Sequence, residues 1–360
     1  MIFLADFRKQ LENSKENQMI KRSIIALCIT AMVATTFAEG LLGAGATFPF
    51  PLYSKMFNLY NKQMGTSVNY QAVGSGAGVR QLSAKTVDFG ATDAFMNDAK
   101  IAKTGGDILH IPTVLGAVVV TYNLAGNPTL RLTGEVVADI FMGKITQWND
   151  GRIQKLNPRI KLPSQAISVA RRSDGSGTTF IFSDFLTKVS PLWETTIGRG
   201  KSLKWPVGVG AKGNDGVAAY VKKTKGAIGY CELAYSIQNK MPQATIQNKK
   251  GTFVKPTVAA ISAAAAGEIP EDTRITLTNT DAKNGYPIAS FTWIIIFKEQ
   301  NYNGRSKAQA QATIKLIKWM ITDAQKLAKP LDYAPLSKGA QTKGLAQLKK
   351  VTFNGSPLLK

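Results

Sequence analysis

Short runs of apolar residues alternate along the chain with amphipathic stretches of helical period. In the first part of the chain the pattern predicts a helix over residues 52–63, a strand over 67–72, a helix over 79–83 and a strand over 87–90. The same order returns farther on, with a strand over residues 167–171 and an aromatic-rich helix over 180–187. Strands that alternate with helices in this way predict an α/β fold.

Two longer runs, residues 108–122 and 288–297, are almost entirely apolar and rich in β-branched side chains. Such runs are typical of central strands that are buried on both faces. We expect both to carry the chain between two lobes, so that two crossovers form a hinge. The predicted division is residues 39–115 with 286–360 as lobe I, and residues 116–285 as lobe II. The chain then ends in a predicted core helix over residues 307–326.

Residues 1–38 have the pattern of an export signal. Lys21 and Arg22 precede a short apolar run, and small residues end at Ala38, where we expect cleavage and release into the periplasm. A permanent membrane anchor is the alternative, but it needs about 20 apolar residues. Met1 and Met19 are both compatible with this signal as start residues.

The composition, with 44% hydrophobic and 19% charged residues, is that of a globular protein. The net charge is +22. Nucleic-acid binding requires basic residues clustered with aromatic ones, whereas here they are scattered, so we expect a solvated basic surface and no nucleic-acid partner. Cys28 falls within the signal, which leaves Cys231 as one thiol without a disulfide partner.

Three segments share one design, a glycine-rich turn that opens a helix and carries hydroxyl side chains. They are GAGATFP at 43–49, GSGAG at 74–78 and DGSGT at 174–178. A helix start exposes unpaired N–H groups and the positive end of the dipole, and glycine lets an anion approach the backbone. Serine and threonine caps alone would explain any one segment. The three together, near Asp93 and Arg172, indicate an oxyanion site.

Enzyme classes find less support in the residues. A hydrolytic triad needs a base beside the nucleophile, but His110 is the only histidine and lies in an apolar strand pattern. We therefore expect no catalytic residue, and with one histidine and one mature cysteine we expect no metal site. The segment GVGAKG at 208–213 has the spacing of a dinucleotide fingerprint, but no central strand precedes it, so no cofactor is expected.

The ordered motifs of residues 42–334 resemble those of PstS-type phosphate-binding proteins. Besides the three turns, they are VDFGATDA at 87–94, IFMGKI at 140–145, KGNDG at 212–216, GAIGY at 226–230 and LDYA at 331–334. The resemblance implies a type II periplasmic binding protein fold, with two α/β lobes that close over the anion. It also implies a monomeric receptor that binds inorganic phosphate and delivers it to the membrane permease subunits of an ABC transporter. A receptor for another tetrahedral oxyanion and a secreted phosphatase are the alternatives.

The resemblance also implies a set of phosphate contacts, with Asp174 supporting Arg172 from behind. The contacts are Thr47, Phe48, Ser75, Asp93, Arg172, Ser176, Gly177 and Thr178. Where the family often has a second serine after Ser75, this chain has Gly76, so that only the backbone donor is expected there.

Asp93 distinguishes the possible anions. A carboxylate next to an anion is repelled unless a proton lies between them. Phosphate near neutral pH retains a proton that it can donate to Asp93, whereas sulfate has none. We therefore expect Asp93 to favour phosphate and arsenate over sulfate. A role as a simple turn cap is the alternative.

Overall fold

The computed structural model describes residues 40–359. Its strands, in chain order, are β1 (Leu41–Gly45), β2 (Val68–Ala72), β3 (Phe89–Thr92), β4 (Ile108–Tyr122), β5 (Arg131–Leu132), β6 (Ser168–Arg172), β7 (Val209–Ala211), β8 (Ala227–Glu232), β9 (Thr245–Gln247), β10 (Phe253–Val254), β11 (Leu277–Thr278), β12 (Ile288–Phe297), β13 (Thr352–Phe353) and β14 (Ser356–Pro357).

Helices alternate with these strands. They are α1 (Phe50–Met64), α2 (Ser75–Ser83), α3 (Asp98–Ile101), α4 (Gly134–Phe141), α5 (Gly151–Leu156), α6 (Gly177–Val189), α7 (Pro191–Thr196), α8 (Gly213–Lys223), α9 (Leu233–Gln238), α10 (Val258–Ala264), α11 (Lys307–Ile321) and α12 (Lys338–Lys349). Short 3-10 turns occupy Ala102–Thr104, Asp323–Leu327 and Lys329–Leu331. The predicted helix over 307–326 therefore ends five residues early, at Ile321, and gives way to 3-10 geometry.

One mixed sheet forms the centre of the fold, with strand order β2-β1-β3-β12-β4-β8-β6-β7 and β11 added beside β12. The strands at both ends run parallel to their neighbours, whereas β12 and β4 are antiparallel to the strands beside them. Among the described residues, β5, β9 and β10 make a second sheet, and β13 and β14 make a hairpin. This mixed α/β arrangement agrees with the type II periplasmic binding protein fold that the resemblance implies.

The long strand β4 belongs to both halves of the sheet. Residues 108–117 pair with β12, and residues 118–122 pair with β8. All 15 residues of β4 are buried, and so are all 10 residues of β12, which explains why both runs are almost entirely apolar. Their observed bounds equal the predicted ones. Because β4 passes between the two halves, the polar loops of both halves meet beside it.

His110 lies within β4 and is buried. Its Nε2 accepts a hydrogen bond from the Met96 N–H at 3.0 Å. Burial lowers the pKa of His110 to about 3, so the ring is neutral and is held as a structural acceptor.

In residues 40–359 no helix is long and apolar enough to cross a bilayer. The predicted export signal, residues 1–38, lies outside the described part of the chain. The residue limits assigned to the two lobes stay predictions.

Candidate functional site

The site is built where strands of the central sheet end. Thr47 and Phe48 follow β1, Ser75 follows β2, and Asp93 follows β3. From the other half of the sheet, Arg172 is the last residue of β6. The carboxyl ends of parallel strands carry ligand sites in α/β folds, because the following loops gather there.

Asp93 is held inside the site by hydroxyl groups. Its Oδ1 accepts a hydrogen bond from Thr292 Oγ1 at 2.6 Å, and its Oδ2 accepts one from Ser75 Oγ at 3.2 Å. Burial raises the pKa of Asp93 to about 6, although Thr292 and the charge of Arg172 limit the rise. The carboxylate is therefore mostly ionised at neutral pH and can accept a proton from a ligand.

The start of α6 approaches Asp93 so closely that only glycine fits there. A methyl group on Gly177 would lie 2.4 Å from Ser75 Oγ and 2.5 Å from Asp93 Oδ2. Ser176 caps the helix, since its Oγ accepts the Thr179 N–H at 3.0 Å. The N-terminus of a 13-residue helix thus points at the carboxylate and at Ser75.

The side chain of Arg172 is 1% exposed, and Asp174 fixes its orientation. Arg172 Nε donates to Asp174 Oδ1 at 2.7 Å, and Nη2 donates to Asp174 Oδ2. The remaining terminal nitrogen, Nη1, donates to Thr178 Oγ1 at 3.2 Å. This bidentate contact neutralises much of the guanidinium charge and turns the Nη1 edge toward the start of α6.

Five buried backbone N–H groups in these turns have no hydrogen-bond acceptor within the described part of the chain. They belong to Thr47, Phe48, Ser75, Gly177 and Thr178. Buried donors are nearly always satisfied in native proteins, so this cluster is the signature of a site for a ligand rich in acceptors.

Two tyrosines turn the carbonyl groups of the first turn away from this cluster. Tyr235 Oη donates to the Thr47 carbonyl at 2.5 Å, and Tyr333 Oη donates to the Phe48 carbonyl at 2.7 Å. The oxygen acceptors of these two residues are thereby occupied, while their N–H groups are not. The turn therefore offers donors only, which suits an anion.

One sequence-based expectation is wrong. The N–H of Gly76 was expected to remain as a donor for the ligand, but it donates to the Gly175 carbonyl at 2.7 Å. This bond joins the starts of α2 and α6, and Gly175 Cα would lie only 3.1 Å from a methyl group on Gly76. The glycine therefore serves close backbone contact between the two halves.

The amino-acid sequence of this chain is similar to the sequences of known proteins. The PBP superfamily domain matches residues 30–324. The phosphate-binding protein PstS of Pasteurella multocida is 43% identical over 339 residues, which cover 92% of this chain and 96% of that relative. The chain belongs to the PstS-type phosphate-binding protein family. PstS of Xylella fastidiosa (strain Temecula1) is 42% identical over 299 residues, covering 82% of this chain and 80% of that protein.

Solved structures show the same fold for this PstS-type chain. A high-affinity periplasmic phosphate-binding protein (PfluDING) with bound phosphate has a TM-score of 0.66 at 19% identity, over 84% of this chain and 92% of that one. The phosphate-binding protein of Stenotrophomonas maltophilia has a TM-score of 0.60 at 18% identity, over 85% and 92%.

Two further residues of the candidate site were not predicted from the sequence. Asn214, in the first turn of α8, donates from Nδ2 to Thr47 Oγ1 at 2.8 Å and to Thr178 Oγ1 at 3.1 Å. The fourth helix start at the site is therefore that of α8. The KGNDG motif at 212–216 was the available signal, since it too is a glycine-rich turn that opens a helix.

The other unpredicted residue is Lys201, whose carbonyl accepts the N–H of Ser176 at 2.9 Å. The half-buried Lys201 side chain makes no ion pair with any residue between 40 and 359. Burial and the charge of Lys100 lower the pKa of Lys201 to about 8, whereas the charge of Asp93 acts to raise it. Because Lys201 and Asp93 each shift the pKa of the other, Lys201 is a second candidate cation for the site beside Arg172.

Proposed function

We propose that this chain is an extracytoplasmic receptor that binds inorganic phosphate between two lobes, without altering it, and delivers it to an ABC transporter. The observation that carries the proposal is the ionisable carboxylate of Asp93 set among donors only. Its Oδ2 lies beside Ser75 Oγ and the start of α6. A donor cluster alone would take any oxyanion, but one that contains a carboxylate favours an oxyanion that still carries a proton.

The proposed ligand contacts combine backbone N–H donors with side chains that donate, except for Asp93, which accepts. The backbone N–H groups are those of Thr47, Phe48, Ser75, Gly177 and Thr178, and the side chains are those of Thr47, Ser75, Asp93, Arg172, Ser176 and Thr178. Thr47, Ser75 and Asp93 would come from lobe I, residues 39–115 with 286–360, and the contacts from Arg172 to Thr178 from lobe II, residues 116–285. Phosphate would thereby join the lobes.

The electrostatics of the site suit binding that is strong and reversible. The site contains two cations, Arg172 and Lys201, and two carboxylates, Asp174 and Asp93, so the formal charges of these four groups cancel when all are ionised. A bound anion is then stabilised mainly by hydrogen bonds to helix starts, each contributing about 1.5–3 kcal/mol before dehydration of the anion is subtracted.

Catalysis has no support from the residues around the proposed ligand. The neutral ring of His110 accepts a hydrogen bond at Nε2 from the Met96 N–H, so this nitrogen does not serve as a base for Ser75 or Ser176. The relatives are named as binding proteins. We therefore propose a receptor that is not an enzyme, that is monomeric in the periplasm after cleavage near Ala38, and that docks on the permease subunits.

Isothermal titration of the mature protein with phosphate, sulfate and a phosphomonoester tests this proposal. We expect tight binding of phosphate, weak binding of sulfate, and no turnover of p-nitrophenyl phosphate. Hydrolysis that disappears in Ser75→Ala or Ser176→Ala would favour the phosphatase, and equal affinity for sulfate would favour a general oxyanion receptor.

A further inference from the structure

Asn214 is fully buried, and its amide has a defined orientation. Its Oδ1 accepts the backbone N–H of Glu232 at 2.9 Å, which fixes Nδ2 on the side of the site. From there Nδ2 reaches Thr47, which precedes α1, and Thr178, in the first turn of α6. One amide group therefore contacts hydroxyls from both halves of the sheet.

The two hydroxyls have their acceptor capacity occupied. A hydroxyl oxygen accepts two hydrogen bonds and donates one. Thr47 Oγ1 accepts from Nδ2 and, at 3.3 Å, from the backbone N–H of Asn214. Thr178 Oγ1 accepts from the same Nδ2 and from Arg172 Nη1 at 3.2 Å.

The hydroxyl protons must then point elsewhere. For Thr178 the nearest protein acceptor is Asn214 Oδ1 at 3.4 Å, which is long and already accepts from Glu232. The Thr47 hydroxyl has no acceptor for its proton within residues 40–359. Both protons are thus directed toward the region bounded by the donors described above.

We propose that Asn214 is a positioning residue that makes the hydroxyls of Thr47 and Thr178 obligatory donors to the bound oxyanion. The inference rests on the proposed phosphate binding and adds to it the group that sets the direction of two ligand bonds. Without the Nδ2 donor, each hydroxyl could rotate and accept instead, and its lone pairs would then face the anion. Asn214 itself need not touch phosphate.

A double-mutant cycle tests this role, with phosphate affinity measured by isothermal titration at pH 7.5. The proteins are native, Asn214→Ala, Thr47→Val and the double variant. We expect each single change to weaken binding roughly 10- to 100-fold. Because Asn214 acts partly through the Thr47 hydroxyl, the double variant should lose clearly less than the product of the two single losses.

Asn248→Ala is the matched control. Asn248 is also buried, and it bonds the carbonyls of Ala282, Lys283 and Gly285 away from the site. This variant should unfold at a lower urea concentration with unchanged phosphate affinity. If Asn214→Ala does not fold, Asn214→Asp replaces it, because this variant keeps the acceptor for the Glu232 N–H. The loss of phosphate affinity caused by Asn214→Asp should again be smaller in the Thr47→Val background.

The outcomes are separable. Native protein that does not bind phosphate would overturn both proposals. Native protein that binds phosphate, combined with an Asn214→Ala affinity within twofold of native or with losses that multiply in full, would overturn the role of Asn214 alone.

Discussion

Asp93→Asn should stabilise the phosphate-free protein at pH 7.5, although it removes a group proposed to bind the ligand. Burial raises the pKa of Asp93 from 3.8 to about 6. When folding raises the pKa of an acid, the ionised form of that acid lowers the free energy of unfolding, by about 1.4 kcal/mol for each pKa unit. A rise of about two units therefore means that ionised Asp93 destabilises the fold by roughly 3 kcal/mol.

The sign and the pH window follow from the two pKa values. The destabilisation is complete above about pH 6 and disappears below about pH 4, where Asp93 is protonated in both states. Asparagine keeps a carbonyl for the Thr292 hydroxyl but loses the charge-assisted bonds. We therefore expect a net gain of about 1–3 kcal/mol at pH 7.5.

Urea unfolding in phosphate-free buffer at pH 7.5 and pH 4.5 measures this gain. Asp184→Asn is the matched control, because Asp184 is equally buried but is held by the Lys188 and Arg199 cations and by Thr278. Although burial acts to raise it, the pKa of Asp184 lies below its ordinary value, so this control should lose stability at pH 7.5. A loss of stability in Asp93→Asn at pH 7.5, or a gain of the same size at pH 4.5, would refute the reasoning.

Three further predictions concern binding. Asp93→Asn should narrow the preference for phosphate over sulfate, and arsenate should compete with phosphate in the native protein. The sulfate affinity of the native protein should rise between pH 7.5 and pH 5, because Asp93 takes up a proton in that range. An unchanged ratio of phosphate to sulfate affinity in Asp93→Asn would indicate that Asp93 only caps a turn. Arg172→Lys should weaken phosphate binding roughly 10- to 100-fold with an unchanged circular dichroism spectrum, because one ammonium group cannot bond both Asp174 oxygens and Thr178. An unchanged phosphate affinity would show that Arg172 does not contact the ligand. Lys201→Met should weaken phosphate binding at pH 7 and low salt, and the difference in affinity from the native protein should shrink above about pH 8, where native Lys201 loses its charge. The control Lys204→Met changes an exposed lysine and should bind phosphate with native affinity. Equal affinities of the native protein and Lys201→Met at pH 7 would count against Lys201 as a second cation.

The fold could be predicted wherever the pattern of the chain is strong over a long segment. β4 and β12 are apolar at nearly every position because both faces are buried, so the limits of both strands could be predicted. The start of α2 was placed four residues late, at residue 79 instead of Ser75, because the glycines that open this helix lack helical periodicity.

The site was predictable as a set of turns, but the contacts between the turns were not. Asn214 and Thr47 are 167 residues apart, and no local pattern indicates that the start of α8 lies against the end of β1. Lys201 does not lie at a glycine-rich helix start, so no sequence pattern marked it as a site residue. Its position depends on the loop after α7, whose backbone accepts a hydrogen bond from the Ser176 N–H in the folded chain.

The origin of the donors also bears on how a ligand leaves. The unsatisfied N–H groups come from separate helix starts on the two halves of the sheet, and the strand β4 pairs with both halves. A hydrogen bond near 3 Å is largely lost once it lengthens by about 1 Å. A small rotation of one half against the other would therefore break many contacts almost simultaneously, so that a transporter could empty a tight receptor by mechanical separation rather than by competing for the anion.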